Sequence, residues 1–558
     1  MLATLLMTAV SPSAHRPAEA GSDSNRAVEP GRQDSGREVP THRLIVKYKS
    51  NANLRGGNAP TGDNRMQALR AAAGVTLEYF RAMSGDAHVL RLPARLPAAE
   101  VEAIARRIAA LPDVEYAEPD RVMFPALTPN DPQYGSQWHY FETYGINAPA
   151  AWDITTGSSG IKIAVIDTGI TDHTDLAGRW VGGHDFITDV PTANDGDGRD
   201  SDPHDPGDWI TSAEAASGPF AGCPVTNSSW HGTHVAGTLG AASNNSSGVA
   251  GINWVSQIVP VRVLGKCGGF VSDIADGMRW AAGLFVSGAP ANANPAKVLN
   301  LSLSGPGTCS STYQSAINAV NAAGAIVVVA AGNNGSNLNT SSYQPANCNG
   351  VITVAATDRG GDKALYSNYG AVVEISAPGG ETFTSSPSPA PQNGVLSTLN
   401  TGLTTPATGT YGYYQGTSMA APHVAGVVSL MVSISPTLNF TQSLQVLQNT
   451  ARAFPGGSGC NTSNCGSGIV DAAAALDAIA DPSVPTATAT ATRTRTPTAT
   501  NTVPTPTPTA TRTQTNTPTV TRTPTPSRTP TRTPTLDPAS LDHFVYLPAV
   551  MLQTDSTP

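Results

Sequence analysis

Charge is scarce in this chain. Of 558 residues only 13% are Asp, Glu, Lys or Arg, and the balance is acidic, with a formal net charge of -9 at pH 7. Holding nucleic acid takes a basic face, so the composition speaks against that class of partner. Aromatic residues are few as well, at 6%. No apolar run reaches the ~20 residues of a membrane-spanning helix. The six cysteines are Cys223, Cys267, Cys309, Cys348, Cys460 and Cys465. They show neither a C-x-x-C pair nor the Cys/His spacing of a zinc site. The N-terminus lacks the basic residues that usually open a secretory signal, but the rest of the pattern is there. Leu2 to Val10 is short and apolar, and Ala18-Glu19-Ala20 is an A-x-A cleavage pattern. Residues 1–20 therefore read as a signal peptide. An even cysteine count in an exported chain then predicts three disulfides, one set out of fifteen possible. Pairing the cysteines consecutively in chain order gives Cys223–Cys267, Cys309–Cys348 and Cys460–Cys465.

What the chain does have is small and turn-forming, with Gly 54 and Pro 45, and it is unevenly spread. Residues 21–41 are polar and Pro/Gly-rich and read as a disordered lead. Residues 42–125 form a compact unit. Strands are expected at Leu44–Tyr48, Ala87–Leu92 and Val114–Pro119, and helices at Met66–Ala72 and Ala98–Leu111. The second helix puts Val101, Ile104, Ile108 and Leu111 on one face. The order suits a β-α-β-β-α-β, ferredoxin-like α+β domain. Residues 126–481 alternate strands and helices, as a doubly wound parallel sheet flanked by helices does. Strands are expected at Ile161–Ile166, Ile258–Leu264, Val298–Leu303, Ala325–Ala330 and Val351–Ala356. Helices are expected at His231–Ala242, Ser272–Gly283, Ser311–Ala323, Thr417–Val432 and Thr441–Ala453. Residues 482–535 are Thr-Pro-Ala repeats that cannot bury a core and read as an extended linker. In the final segment, 536–558, the apolar Phe544–Val550 suits attachment to a surface.

Within the α/β segment three stretches carry chemistry. Gly416-Thr417-Ser418-Met419-Ala420-Ala421-Pro422-His423 opens an apolar helical pattern and places Ser418 at a helix N-terminus. There, free backbone N–H groups favour negative charge. Alone, such a serine is as well explained as an N-cap. As a nucleophile it needs a base, and the base needs a carboxylate to orient it. Ile161-Lys162-Ile163-Ala164-Val165-Ile166-Asp167-Thr168-Gly169 reads as a buried parallel strand delivering Asp167 at its C-terminal end, where open α/β sheets place their sites. His231-Gly232-Thr233-His234-Val235-Ala236-Gly237 opens a second small-residue helix with a histidine. The order Asp, His, Ser is one of the chain orders that reach the same triad geometry.

These three segments, with Ala330-Ala331-Gly332-Asn333-Asn334-Gly335, resemble the signature segments of the subtilisin-like serine proteases over about residues 130–480. The resemblance implies a secreted serine endopeptidase acting on polypeptide substrates. Ser418 is then the nucleophile, His231 the base, Asp167 its orienter and Asn333 the oxyanion donor. It also implies that residues 42–125 are an inhibitory propeptide, removed by the enzyme's own site between about Met123 and Pro129. Cys267-Gly268-Gly269-Phe270 and Ser302-Leu303-Ser304-Gly305 look like the family's two substrate-binding edges, which makes Gly268, Gly269, Ser302, Leu303, Ser304 and Gly305 candidate substrate contacts. Many relatives have glycine where Ser304 stands, so specificity is not carried over. His234 and His423 follow their motifs' catalytic residues along each helix and are expected to pack. Asp195-Gly196-Asp197-Gly198-Arg199-Asp200-Ser201-Asp202 is the densest carboxylate cluster. Asp195, Asp197, Asp200 and Asp202 are candidate ligands for a structural calcium, which takes six to eight oxygens and is frequent in this family. A monomer, secreted or attached to the cell surface, is expected. The competing function is a surface-displayed adhesion or binding protein on a protease scaffold. The Thr/Pro stalk fits both, but a pure binder needs none of Asp167, His231, Asn333 and Ser418.

Overall fold

The computed structural model describes residues 40–49, 63–121, 127–382, 390–480 and 544–545. The expected signal peptide, most of the lead, residues 123–126 of the expected 123–129 cleavage region, the Thr/Pro linker and the final segment apart from 544–545 lie outside the described residues.

The N-terminal unit is a four-stranded antiparallel sheet in the order β2-β3-β1-β4. Its strands are β1 (Thr41–Tyr48), β2 (Glu78–Ala82), β3 (Ala87–Leu96) and β4 (Val114–Pro119). Helices Asp63–Ala73 and Ala98–Ala109 pack on the sheet over Leu44, Val46, Leu90, Val101 and Ile108. This is the expected β-α-β-β-α-β order. β2 gives no strand signal in the sequence, because it is an edge strand with no buried position and so shows no alternation.

The larger unit holds a seven-stranded parallel sheet, ordered β14-β13-β11-β9-β5-β7-β6. Its strands are β5 (Lys162–Asp167), β6 (His184–Asp185), β7 (Gln257–Arg262), β9 (Val298–Leu301), β11 (Ile326–Ala330), β13 (Ile352–Thr357) and β14 (Ile375–Pro378). β5 is buried on both faces. Ile163 and Val165 face one core and Ala164 and Ile166 the other, the period of two that a strand imposes. On the first face lie the helices His231–Gly240, Thr417–Ile434 and Ala472–Ala480. On the second lie Val271–Ala281 and Ser311–Ala322. Chain order reverses at β5, with β7 and β6 on one side and β9 onward on the other. That reversal opens a crevice at the carboxyl ends of the strands, and Asp167 ends β5 there.

Among the described residues, Thr417–Ile434 is long and apolar enough to span a membrane, but 89% of it is buried inside the protein, as in a core helix. Smaller elements complete the rim of the crevice. β8 (Gly269–Phe270) follows β7, β10 (Gly305–Pro306) pairs with β12 (Tyr343–Gln344), and β15 (Val395–Asn400) pairs with β16 (Gly409–Tyr414). β17 (Phe544–Val545) adds to β8 as an antiparallel neighbour. The three disulfides are Cys223–Cys267, Cys309–Cys348 and Cys460–Cys465, the pairs expected from consecutive pairing.

Candidate active site

Three elements bring Asp167, His231 and Ser418 to the crevice. Asp167 is fully buried, and its Oδ1 accepts the Thr168 amide at 2.8 Å and His231 Nδ1 at 2.7 Å. That contact places the proton on Nδ1 and leaves Nε2 as the basic nitrogen. The His231 helix can reach the end of β5 because its second residue is glycine. A Cβ on Gly232 would lie 2.2 Å from the Gly169 carbonyl oxygen, and the Gly232 amide donates to Thr168 Oγ1 at 3.0 Å.

Ser418 sits in the first turn of the Thr417–Ile434 helix, where backbone N–H groups lack intrahelical acceptors. Its hydroxyl donates to the Ser302 carbonyl at 3.1 Å, and Ser302 Oγ donates to the Ser418 carbonyl at 2.7 Å. His231 Nε2 is buried without a hydrogen-bond partner, so the Ser418–His231 hydrogen bond is open in this state. Such contacts commonly tighten only once substrate is bound.

Asn333 is held by the turn that presents Ser418. Its Oδ1 accepts the Thr417 amide at 2.8 Å and the Thr417 hydroxyl at 2.7 Å, and Thr417 Oγ1 accepts the Gly332 amide at 3.0 Å. This fixes Nδ2 on the side of Gly416. The position that a Cβ on Gly416 would occupy is 3.3 Å from Asn333 Nδ2 and 3.5 Å from the Ser418 amide nitrogen. Both nitrogens thus lie near one point beside the serine, with Met419 Sδ 3.7 Å from it. Asn334 is exposed, and its amide goes to Asn368 Oδ1.

Charge around the imidazole is arranged to favour its protonated form. Burial is the strongest influence on His231 and pulls its pKa down. The charge and hydrogen bond of Asp167, with Asp208 and Asp205 behind it, outweigh burial, and the net shift is upward. Asp205 is pushed up to about 7 by burial and then by the charge of Asp208, and burial also raises Asp208. Both aspartates follow the 195–202 acidic cluster in sequence, and nothing in a Pro/Asp/Gly loop signals their burial. His234 and His423 pack, as expected. His234 stacks on Tyr414 at 4.5 Å and meets the Gly412 carbonyl at 3.0 Å. His423 joins the Met419 carbonyl and His139 Nδ1, each at 2.7 Å.

The expected substrate contacts divide. Gly269 has to be glycine, since a Cβ there would lie 2.1 Å from the Val263 carbonyl oxygen, and Gly268 turns at φ 107. Gly305 sits in β10. Ser302 and Leu303 are fully buried, and Ser302 is occupied in holding Ser418. The Ser304 hydroxyl faces the segment that carries Asn333, 2.8 Å from where a Cβ on Gly332 would be.

The four candidate calcium ligands, as placed, do not fit one cation. Asp195 is ion-paired to Arg262, and Asp202 contacts His204 Nδ1 at 2.5 Å. Asp200 Oδ1 accepts the Asp202 amide at 2.8 Å, and Asp195 Oδ1 accepts the Asp197 amide at 3.3 Å. Among the described residues no three His, Cys, Asp or Glu side chains gather as a metal site.

A parallel sheet that delivers a buried acid–imidazole pair beside a serine at a helix start is the framework of a serine-type hydrolase. The chain belongs to the subtilase family, whose model matches residues 158–478, and it is accordingly a serine-type endopeptidase. It is 48% identical over 446 residues to an extracellular protease of Xanthomonas campestris pv. campestris, covering 78% of this chain and 73% of that one. It is 41% identical over 442 residues to an extracellular basic protease of Dichelobacter nodosus, covering 78% and 70%. A solved protease structure from Pseudoalteromonas arctica is similar at a TM-score of 0.59 and 51% identity, over 63% of this chain and 100% of that one.

Proposed function

We propose that the protein is a secreted endopeptidase, made as a self-processing zymogen, in which Ser418, His231 and Asp167 form the catalytic triad. The observation that carries this reading is the buried Asp167–His231 hydrogen bond at 2.7 Å in the crevice, beside a serine in the first turn of a buried helix. The Ser418 hydroxyl turns from the Ser302 carbonyl toward His231 Nε2, gives up its proton there and attacks the scissile carbonyl. Asn333 Nδ2 and the Ser418 amide stabilise the oxyanion. His231 returns the proton to the leaving amine, and a water then releases the acyl group by the same steps in reverse. Substrate lies along β8 and β10 as an added strand. Pairing of Phe544–Val545 with Gly269–Phe270 supports that edge as one that takes extended chain. Export is supported by the extracellular proteases to which the chain is similar, and by the signal-like N-terminus.

On this reading the 42–125 unit is the inhibitory propeptide and the 126–481 unit the enzyme. A structural calcium belongs to the proposal because subtilases commonly carry one, but the 195–202 loop is not assigned as its place. The test is hydrolysis of casein by purified, matured protein, with and without a serine-directed inhibitor, beside Ser418→Ala made in a protease-free host. Wild type hydrolyses casein and the inhibitor stops it. Ser418→Ala is inactive and stays full length from the signal cleavage site. Casein hydrolysis by matured Ser418→Ala would remove the triad, and trimming of the variant to the wild-type N-terminus would remove self-processing.

A further inference from the structure

Ser228-Ser229-Trp230 leads into the base, and Trp230 stands in the left-handed region at φ 49, ψ 32. A bulky residue holds that conformation only where its surroundings over-determine it. Trp230 is buried and its indole N–H donates to the Gly402 carbonyl at 2.7 Å. The Ser228 amide donates to the Leu403 carbonyl at 2.8 Å, and the Tyr414 hydroxyl donates to the Ser229 carbonyl at 2.8 Å. The remaining restraint is ionic. Asp208 is 6% exposed, its Oδ1 accepts the Ser229 amide at 2.6 Å, and its Oδ2 accepts the Ser229 hydroxyl at 2.7 Å. Ser229 Oγ in turn accepts the His231 amide at 3.3 Å. A relay of three groups thus runs from a buried carboxylate to the backbone of the base.

The loop that carries Asp208 is itself tied to the segment that follows the strand carrying Asp167. The Ile170 amide donates to the Pro203 carbonyl at 3.1 Å, and the Asp205 amide to the Ile170 carbonyl at 2.9 Å. Gly207 allows the loop to reach the Ser228 turn, at φ 107 and with space for no Cβ, which would lie 2.1 Å from the Thr404 carbonyl oxygen. One short loop therefore references the orienting acid and the base to each other.

We propose that Asp208 is a positioning residue for the reaction: through Ser229 it fixes the Trp230 turn and the aim of the His231 ring, and its charge supports the imidazolium formed in the transition state. This rests on His231 being the base, as read above. Buried charge that accepts two short hydrogen bonds is a strong restraint, and a misaimed base costs rate rather than binding. The charged or titratable groups around His231 are Asp167 on β5, Asp205 and Asp208 on the 203–208 loop and His234 one turn along the helix. Arg262 on β7 acts on Asp205, and Tyr414 on β16, stacked on His234, is acted on by the charge of Asp208.

The experiment compares kcat, KM and the pH dependence of kcat/KM on a peptide substrate for wild type, Asp208→Asn, Ser229→Ala and His231→Ala, with melting curves for each. Asp208→Asn is expected to lower kcat about 10- to 100-fold, the worth of a hydrogen bond to a charged group, with KM unchanged. Its acid limb should move to lower pH, because a negative charge beside the imidazole is gone. Ser229→Ala is expected to lower kcat less and to leave the limb in place. A folded Asp208→Asn with wild-type kcat and limb overturns the proposal. So does a variant that merely melts earlier while both kinetic readouts stay put. Should Asp208→Asn not fold, unchanged kcat in Ser229→Ala overturns it. An active His231→Ala would instead remove the underlying assignment of the base.

Discussion

At the scale of residues, polarity in this protein is spent in a few buried places. Asn333 uses its carbonyl twice on Thr417, which leaves its amide N–H groups for the oxyanion of the proposed reaction. Asn333→Ala is expected to lower kcat about 10²- to 10³-fold with little change in KM, a range known from subtilisin itself for losing such a donor. Steady-state kinetics on a peptide substrate checks it, and a wild-type kcat would assign the donor elsewhere. The buried histidines make a different prediction. Burial pushes His423 down to about 4 and His234 down to about 3, so both are neutral in the fold. Their unfolded counterparts protonate near 6.5. Their contribution to stability is therefore complete above pH 6.5 and is lost as pH falls from 6.5 toward those folded values, at ~1.4 kcal/mol per pH unit for each group. Burial raises Asp185 and Asp205 to about 7, which works in the opposite direction, so the clean readout is a difference. The stability gap between wild type and His423→Gln, measured by urea unfolding, should narrow as pH is lowered from 6.5 to 4.5. A constant gap would mean that His423 does not titrate with folding.

At the scale of elements, the proposed substrate edge is joined to a neighbouring segment by a covalent tie. Cys223 lies on the approach to the His231 helix and Cys267 at the turn before β8, and their disulfide closes a separation of 44 residues. Cross-linking a loop of that length stabilises by ~4 kcal/mol in the chain-entropy model. The double variant Cys223→Ser, Cys267→Ser is expected to melt lower, and KM should rise more than kcat falls, because β8 is loosened while the triad elements are not. Melting curves and steady-state kinetics would decide. An unchanged KM would mean that Gly269, packed against Val263, holds the edge unaided.

At the scale of the whole molecule, two compact units of different architecture share one chain: an antiparallel sheet with two helices, and a parallel sheet covered on both faces. The second carries all three disulfides and the crevice. A ligand that binds only the native state raises the melting temperature by mass action. A chelator is therefore expected to lower the thermal midpoint of the matured protein, and added calcium to restore it. Identical melting with and without chelator would remove the structural calcium from the proposal. If the effect is present and survives Asp195→Asn with Asp202→Asn, the ion lies outside the 195–202 loop.

The sequence alone determined the α/β class, the five central strands, the helices that open with His231 and Ser418, and the disulfide pairs. These are features that local patterning writes down: β-branched runs, small-residue helix starts and short loops closed by neighbouring cysteines. Asp167, His231, Ser418 and Asn333, the proposed catalytic set, could be named from sequence because each stands inside a contiguous motif. The tertiary structure decided the rest. β6, β14 and the edge strand β2 are short or exposed and leave no periodicity to read. Ser302 looked like a substrate edge in sequence, and the fold buries it against Ser418. Asp208 carries no mark in the sequence beyond following the 195–202 acidic cluster, and its proposed support of the base exists only because the fold brings it to Ser229. The physical reason is the same in each case. Burial and long-range hydrogen bonding depend on what packs against a residue from distant parts of the chain, and no local pattern in this sequence records that.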